Sequence, residues 1–292
     1  MNIREKINAA RARLTTAGID SGEAGRDANL LARHVLGWDR AMVYAHETDE
    51  ATEEFCAKYD PLIERRARRE PAAYIRGVQE FWSRDFHVTP AVLIPRPETE
   101  LIVEEFLARL PEDLPNRHQR VADIGTGSGC IAVTVAAERD YVEVVATDIS
   151  KKALTIAKDN ATRYGVADRI VFREAAYLSG VGDKFDFILA NPPYVTEREY
   201  QNLAPEVREY EPALALVAGE DGFRDIRQIV DLSTVHLVPG GTLFLEIGHE
   251  HADAVVDLVA SFPALRLAGI SNDLQNIPRV AIIERKIIEA PE

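Results

Sequence analysis

The sequence predicts an α/β protein: a doubly wound, mostly parallel sheet, preceded by a small all-helical N-terminal domain and joined to it by a β-hairpin. Three observations predict this. From about residue 119 to the end, short apolar runs alternate with amphipathic stretches of helical period, the pattern of strands linked by crossover helices. Residues 3 to about 70 show only helical periodicity. Between them, "EFWSRDFHV" and "AVLI" are rich in β-forming residues. The expected domains are residues 1–78, 79–96 and 97–292.

In order along the chain, "IREKINAARARLTTAG" places Ile3, Ile7, Ala10 and Leu14 on one helical face and can end at Gly18. "SGEAGRDANLLARHVLG" repeats the design with Ala24, Ala28, Leu31 and Val35 before Gly37. "TEEFCAKYDPLIERRARRE" is a third helical region, with a break or a new start expected at Pro61. A hairpin or extended pair is expected across Thr89-Pro90. Pro95 and Pro97 then prepare the helix "ETELIVEEFLARL", with Glu98 and Glu100 at its positive end. "RVADIG", "VEVVATD", "RIVFRE", "FDFILA", "GTLFLEIG" and "RVAIIERK" read as strands. "GCIAVTVAAE", "SKKALTIAKDNATRYG", "FRDIRQIVDLSTVH" and "EHADAVVDLVAS" read as helices between them.

Composition excludes several classes. Two cysteines, Cys56 and Cys130, make no disulfide framework and suggest a reducing compartment. The charged N-terminus is no secretory signal, and no apolar run approaches a membrane span, so a cytoplasmic protein is expected. The net charge of −14 falls almost entirely after residue 80 and disfavours loose binding to bare nucleic acid.

"VADIGTGSGC" sets Asp123 at a strand end, then Gly125, Thr126, Gly127, Ser128 and Gly129 before a helix. Glycines let a ligand approach the backbone, and the helix start offers unpaired N–H groups. Asp148 ends the next strand, where an acidic side chain can accept both hydroxyls of a ribose; Ile149 follows it. The G-x-G-x-G spacing is neither the dinucleotide fingerprint nor a Walker A loop. Asp123 beside the glycines would repel a pyrophosphate and suit a cationic cofactor, which points to S-adenosylmethionine, leaving S-adenosylhomocysteine as product.

"FDFILANPPYV" is a buried strand that runs into Asn191, Pro192, Pro193 and Tyr194. This is chemistry suited to a planar –NH2 group. Such a nitrogen is a poor nucleophile because its lone pair is delocalised. A site must accept both its N–H bonds and aim it at the methyl carbon. The Asn191 side-chain oxygen and the Pro192 carbonyl are two acceptors, the prolines stiffen the loop, and Tyr194 can pack on a flat substrate and face a positive sulfonium. Catalysis would rest on positioning and fixed dipoles.

With the upstream Asp-x-Gly-x-Gly-x-Gly, the Asn-Pro-Pro-Tyr sequence resembles class I amino methyltransferases, including adenine-N6 enzymes. "EPAAYIRGVQEFWSRDFHVTPAVLIPRPETE", Glu70 to Glu100, closely resembles the signature of the HemK-type peptide chain release factor glutamine methyltransferases. "EPALALVAGEDG" and "LEIGHE" match it less sharply. The resemblance implies a seven-stranded Rossmann-like methyltransferase sheet. It implies methylation of the glutamine amide in the Gly-Gly-Gln loop of class 1 peptide chain release factors, with the N-terminal helical domain gripping that substrate. By motif position, Gly125 to Gly129 and Asp148 would bind cofactor, Asn191 to Tyr194 would bind the glutamine, and Arg96 and Glu98 would lie near the site. The family often has an Asp and an aromatic after the third strand of the catalytic domain. Here Ala175, Ala176 and Tyr177 stand there, so Tyr177 would supply the ring contact.

The competing readings are an amino methyltransferase acting on a nucleic-acid base, and a non-catalytic partner-binding protein with a decayed cofactor fold. His249 and His251 have no third ligand in the pattern, so no metal is expected. Cys130 reads as a packed small residue, "ERRARRE" as a solvated helix end, and Phe81 and Trp82 as hairpin core.

Overall fold

The N-terminal periodicity becomes helices with defined ends. The structure is a computed structural model and describes residues 1–110 and 118–287. α1 (Ile3–Thr16) begins in a capping box between Asn2 and Glu5. α2 (Ser21–Leu36) is capped by Asp20 and stops at Gly37, whose φ of 66° is left-handed. α3 (Arg40–Ala45) and α5 (Ala72–Arg76) are short helices absent from the sequence expectation. α4 (Glu53–Ala67) runs unbroken through Pro61, which corrects the expected break there. Phe55, Tyr59 and Ile63 bury one continuous face on both sides of the proline, and that burial outweighs a local cost of about 3 kcal/mol. The basic run at the end of α4 is also not simply solvated. Arg66 is only 1% exposed and is held by carboxylates.

β1 (Val78–Phe81) and β2 (Arg84–His87) form the hairpin, and its turn is Trp82-Ser83 rather than Thr89-Pro90. Both turn residues have positive φ, 53° and 56°, which suits a two-residue connection between twisted strands. Phe81 and Phe86 are fully buried behind the turn. Ala91 to Ile94 forms no strand, another correction. Pro90 lacks a donor, and the Ile94 N–H goes to the Glu211 carboxylate at 3.0 Å.

After a single 3-10 turn at Pro97–Thr99, the chain runs through α6 (Glu100–Arg109), β3 (Gln119–Ile124), α7 (Cys130–Glu138), β4 (Val142–Asp148), α8 (Lys151–Arg163), β5 (Ile170–Glu174) and β6 (Phe185–Ala190). It continues through α9 (Glu197–Tyr200), α10 (Pro205–Tyr210), α11 (Arg224–His236), β7 (Leu237–Glu246), α12 (Ala252–Ala260), β8 (Leu265–Asn272) and β9 (Pro278–Arg285). The seven-stranded sheet has the order β5-β4-β3-β6-β7-β9-β8. It is parallel except at β9, which runs antiparallel to β7 and β8. β8, whose residues the sequence reading left unassigned, completes the sheet.

Pleating divides the core between the two faces of the sheet. Phe244 packs with Phe106 of α6, while its neighbours Leu243 and Leu245 pack with Ile226 of α11 and Val255 of α12. The strand order reverses between β3 and β6, so their carboxyl ends border a crevice, the place where open α/β sheets hold ligands.

The chain divides into two compact units, Met1–Val78 with Ala204–Tyr210, and Gln79–Leu203 with Glu211–Glu292. In the first, Leu14, Leu31 and Tyr59 are fully buried, and the Tyr59 hydroxyl donates to the Ala28 carbonyl. The expected boundary at residue 292 lies outside the described residues.

Candidate active site

β3 ends at Ile124, and the chain turns through the three glycines into α7. Their φ values are 72°, 55° and 80° at Gly125, Gly127 and Gly129. Gly129 is needed for packing: a Cβ there would lie 3.0 Å from the Ala157 Cβ and 3.2 Å from its Cα. Gly125 has open space beside it, and with Gly127 it borders a cavity of about 320 Å³.

Asp148, at the end of β4, lines the same cavity. Its Oδ2 accepts the Gly127 N–H at 3.0 Å and its Oδ1 accepts the Ser150 N–H at 2.8 Å. Each oxygen keeps a further lone pair for a ligand. Burial nevertheless holds its acidity below that of an ordinary carboxyl, raising the pKa. Ile149 is 56% exposed and forms an apolar wall beside it.

Asp123, Thr126, Ser128 and Gly129 are not on the cavity wall. They lie behind the loop. Asp123 is 1% exposed; its Oδ2 accepts from the Thr126 hydroxyl at 2.6 Å and the Ala132 N–H at 3.2 Å, while Oδ1 has no partner among the described residues. Burial pushes this carboxyl up to about 7. Burial also pushes the Cys130 thiol up to about 12, which leaves it a poor nucleophile.

The second wall follows β6. Asn191, Pro192 and Pro193 line the cavity, and Tyr194 is set back from it. The Asn191 Nδ2 donates to the Thr99 hydroxyl at 2.9 Å. That hydroxyl donates to the Glu246 Oε2 at 2.7 Å, and the Tyr194 hydroxyl lies 3.5 Å from Oε1 of the same carboxylate. Burial raises the Tyr194 phenol well above its usual value and pushes Glu246 up to about 7. The loop is laced to the segment after α10: Val195 N–H donates to the Leu216 carbonyl, and Ala218 N–H to the Val195 carbonyl, both at 2.9 Å.

Tyr177 lines the cavity in a left-handed conformation, φ 53°, and its hydroxyl donates to the Asp225 Oδ1 at 2.6 Å. Ala175 and Ala176 lie beside it. Arg96 is not on the cavity wall; its guanidinium is bound to Glu211, which also receives the Ile94 N–H and so fixes the irregular segment before α6. Glu98 is half-buried and also off the wall.

Sequence reasoning missed Thr99, Glu246, Asp225 and the stretch Pro212 to Ala215. Thr99 and Glu246 did stand inside quoted segments, "PRPETE" and "LEIGHE"; both are buried, but only Glu246 is marked in the sequence, as a charge between the apolar Leu245 and Ile247. The residues on the wall fit S-adenosylmethionine: glycine backbone, a carboxylate at Asp148 oriented by two backbone donors, and apolar flanks at Ile149 and Tyr177. Among the described residues no group of three or more His, Cys, Asp or Glu is placed to hold a metal ion, and no helix is long and apolar enough to cross a membrane.

Comparison with known proteins bears on this geometry. Residues 5–77 match the family described as PrmC N-terminal domain, and residues 99–208 that described as methyltransferase small domain. The release factor glutamine methyltransferase of Cereibacter sphaeroides is 42% identical over 268 residues, covering 92% of this chain and 93% of that one. Its counterpart in Escherichia coli K12 is 40% identical over 230 residues, 79% and 81% of the two chains. A solved methyltransferase from Pyrococcus furiosus, 19% identical, shares the fold with a TM-score of 0.52 over 71% of this chain and 91% of that one.

Proposed function

Because the chain belongs to the release factor glutamine methyltransferase family, we infer that it transfers a methyl group from S-adenosylmethionine to the side-chain amide nitrogen of the glutamine in the Gly-Gly-Gln loop of class 1 peptide chain release factors. The observation that carries this reading is the cavity itself. It brings Asp148 and the glycine turn to one wall and Asn191, Pro192 and Pro193 to the other.

S-adenosylmethionine, when bound, supplies a methyl group made electrophilic by a positive sulfur. The chain's own residues do the rest. Asp148 accepts the ribose hydroxyls, with its carboxylate pre-oriented by two backbone donors. Gly125 and Gly127 allow close backbone approach. Ile149 and Tyr177 flank the flat adenine, and Asp123, Thr126, Ser128 and Gly129 hold the turn from behind. Asn191 accepts one N–H of the glutamine amide and the Pro192 carbonyl accepts the other. Tyr194 stiffens the loop and adds an aromatic face. Arg96 shapes the approach to the site through its pair with Glu211, and Glu98 stands near it. No strong base is required, since the proton leaves an already methylated, acidic nitrogen. Residues 1–78 form the part that grips the protein substrate, residues 79–96 the linker, and residues 97–292 the catalytic domain.

The reading on a nucleic-acid base is not favoured: the relatives act on release factors by name, and a net charge of −14 opposes phosphate binding. The test is methyl transfer to a purified class 1 release factor, mapped by peptide mass spectrometry, beside a release factor carrying Ala at the loop glutamine. Methylation confined to that glutamine is expected. Transfer elsewhere, or none with cofactor binding intact, overturns the reading.

A further inference from the structure

We propose that Thr99 and Glu246 are positioning residues that decide which end of the Asn191 side-chain amide faces the substrate. The inference rests on the proposed amide methylation and adds the device that makes Asn191 competent for it.

An asparagine amide has a donor end and an acceptor end of nearly the same shape. A site that must accept an N–H from the substrate works only with the oxygen outward. Local sterics do not enforce that choice, so a hydrogen-bond partner must. Three elements meet to supply it. Register pairs Ala190 with Leu245, so the next residues, Asn191 and Glu246, leave adjacent parallel strands side by side. Thr99 comes from the N-terminal end of α6, far away in sequence.

Thr99 and Glu246 are 2% and 1% exposed. Once pH is above about 7 the Glu246 carboxylate is ionised and carries no proton, so the single proton of the Thr99 hydroxyl must point to its Oε2, 2.7 Å away. The Thr99 oxygen is then purely an acceptor towards Asn191. Only the –NH2 end can face it, and Nδ2 does, at 2.9 Å. A reversed amide would set two oxygens against each other in a buried site, losing a hydrogen bond and adding repulsion. The Asn191 oxygen is left as the end available to a ligand.

Other groups near Glu246 bear on its charge. Tyr194 approaches Oε1, Arg279 of β9 favours the ionised form, and Glu98 opposes it. The Cys130 thiol of α7 also feels the Glu246 charge. Among the described residues the hydrogen bond to Oε2 comes from Thr99 and that to Oε1 from Tyr194, so the relay has its working polarity when the carboxylate is ionised.

The experiment compares Thr99→Val, which keeps the side-chain shape and removes the hydroxyl, with Thr99→Ser, which keeps the hydroxyl. Both are assayed on a full-length class 1 release factor, with S-adenosylmethionine affinity measured separately by calorimetry. Thr99→Val is expected to lower kcat roughly tenfold or more, with cofactor Kd changed less than about twofold, and Thr99→Ser to recover to within about threefold. In an Asn191→Ala background, measured as single turnovers with enzyme in excess, Thr99→Val should add no further loss. Unchanged kcat in Thr99→Val, or a full multiplicative loss in the double variant, overturns the relay while leaving the methylation reading intact. A wild-type enzyme that binds cofactor yet methylates no release factor overturns the reading first, and the relay with it.

Discussion

Glu246 is a carboxyl group that the fold withholds from water, and its protonation ties stability to pH. Burial pushes it up to about 7, against the pull of the Thr99 hydroxyl and of Arg279. The folded state therefore binds a proton more tightly than the unfolded chain. The sign follows: stability contributed by this group is largest below the ordinary carboxyl range and is lost as pH rises from there to about 7. Asp123, also pushed up to about 7, acts in the same direction. Glu246→Gln should flatten the fall in unfolding free energy between pH 4.5 and 7, by something on the order of 3 kcal/mol for one such group. Denaturant titrations across that window check it, and parallel wild-type and variant curves would show Glu246 to be ionised throughout. The relay needs the ionised form, so the charge that orients Asn191 is the one that weakens the fold. Asp148 belongs to the other wall. Asp148→Ala should weaken S-adenosylmethionine binding by roughly ten- to a hundredfold, since two ribose hydroxyls lose a charged acceptor. A calorimetric Kd equal to that of the parent would remove Asp148 from the ribose site.

At the scale of elements, the loop after β6 is held by a contact that the sequence does not advertise. Gly222 has φ 67°, and a Cβ there would lie 2.5 Å from the Tyr194 carbonyl oxygen. Gly222→Ala must shift the Asn-Pro-Pro-Tyr backbone or distort its own. A loss of about 2 kcal/mol in stability and a larger proportional loss in turnover are expected. Chemical denaturation and kcat are the readouts; a fully active, equally stable variant would mean that the segment yields freely. Elements with strong period and clear ends were legible: α1, α2 and the strands β3, β4 and β6 stand where apolar spacing put them. The cavity wall was legible where it is written in adjacent residues, as at Gly125, Gly127 and Asn191 to Pro193. The site was not legible where it is assembled from afar. Thr99, Glu246 and Pro212 to Ala215 acquire meaning only when α6, β7 and the segment after α10 meet β6. Pro61 misled because local propensity was weighed without the buried face of Phe55, Tyr59 and Ile63. Ala91 to Ile94 misled because its backbone donor at Ile94 is taken by a side chain, Glu211, instead of a strand.

At the scale of the whole molecule, the helical unit is not one continuous stretch of chain. It takes in Ala204–Tyr210, which leaves the sheet-bearing unit after Leu203 and returns to it at Glu211. An ionic cluster holds that excursion inside the unit. The buried Arg66 guanidinium pairs with Asp27 at 2.6 Å, Glu23 at 2.7 Å and Glu206 at 3.1 Å, and Arg69 pairs with Glu206 at 2.7 Å. The Tyr210 hydroxyl adds a bond to the Arg68 carbonyl at 2.7 Å. A buried guanidinium tolerates the loss of one carboxylate of three better than the loss of its only partner, so Glu206→Ala should destabilise by about 2 kcal/mol, below the 3–5 kcal/mol of a lone buried pair. Glu206→Gln, which keeps an acceptor for Arg66, should lose about half as much. The effect should be local in kind: faster amide exchange in α10 and the last turn of α4, with β3 and β6 unchanged. The returning chain supplies Glu211, which receives the Ile94 N–H and the Arg96 guanidinium, and then Pro212, Leu214 and Ala215 on the cavity wall. Because Glu211 is held inside its own unit by the Ile94 N–H and Arg96, Glu206→Ala is expected to leave the cofactor Kd within about twofold of the parent. A Kd raised well beyond that by calorimetry would show that Glu211 does not by itself hold that wall.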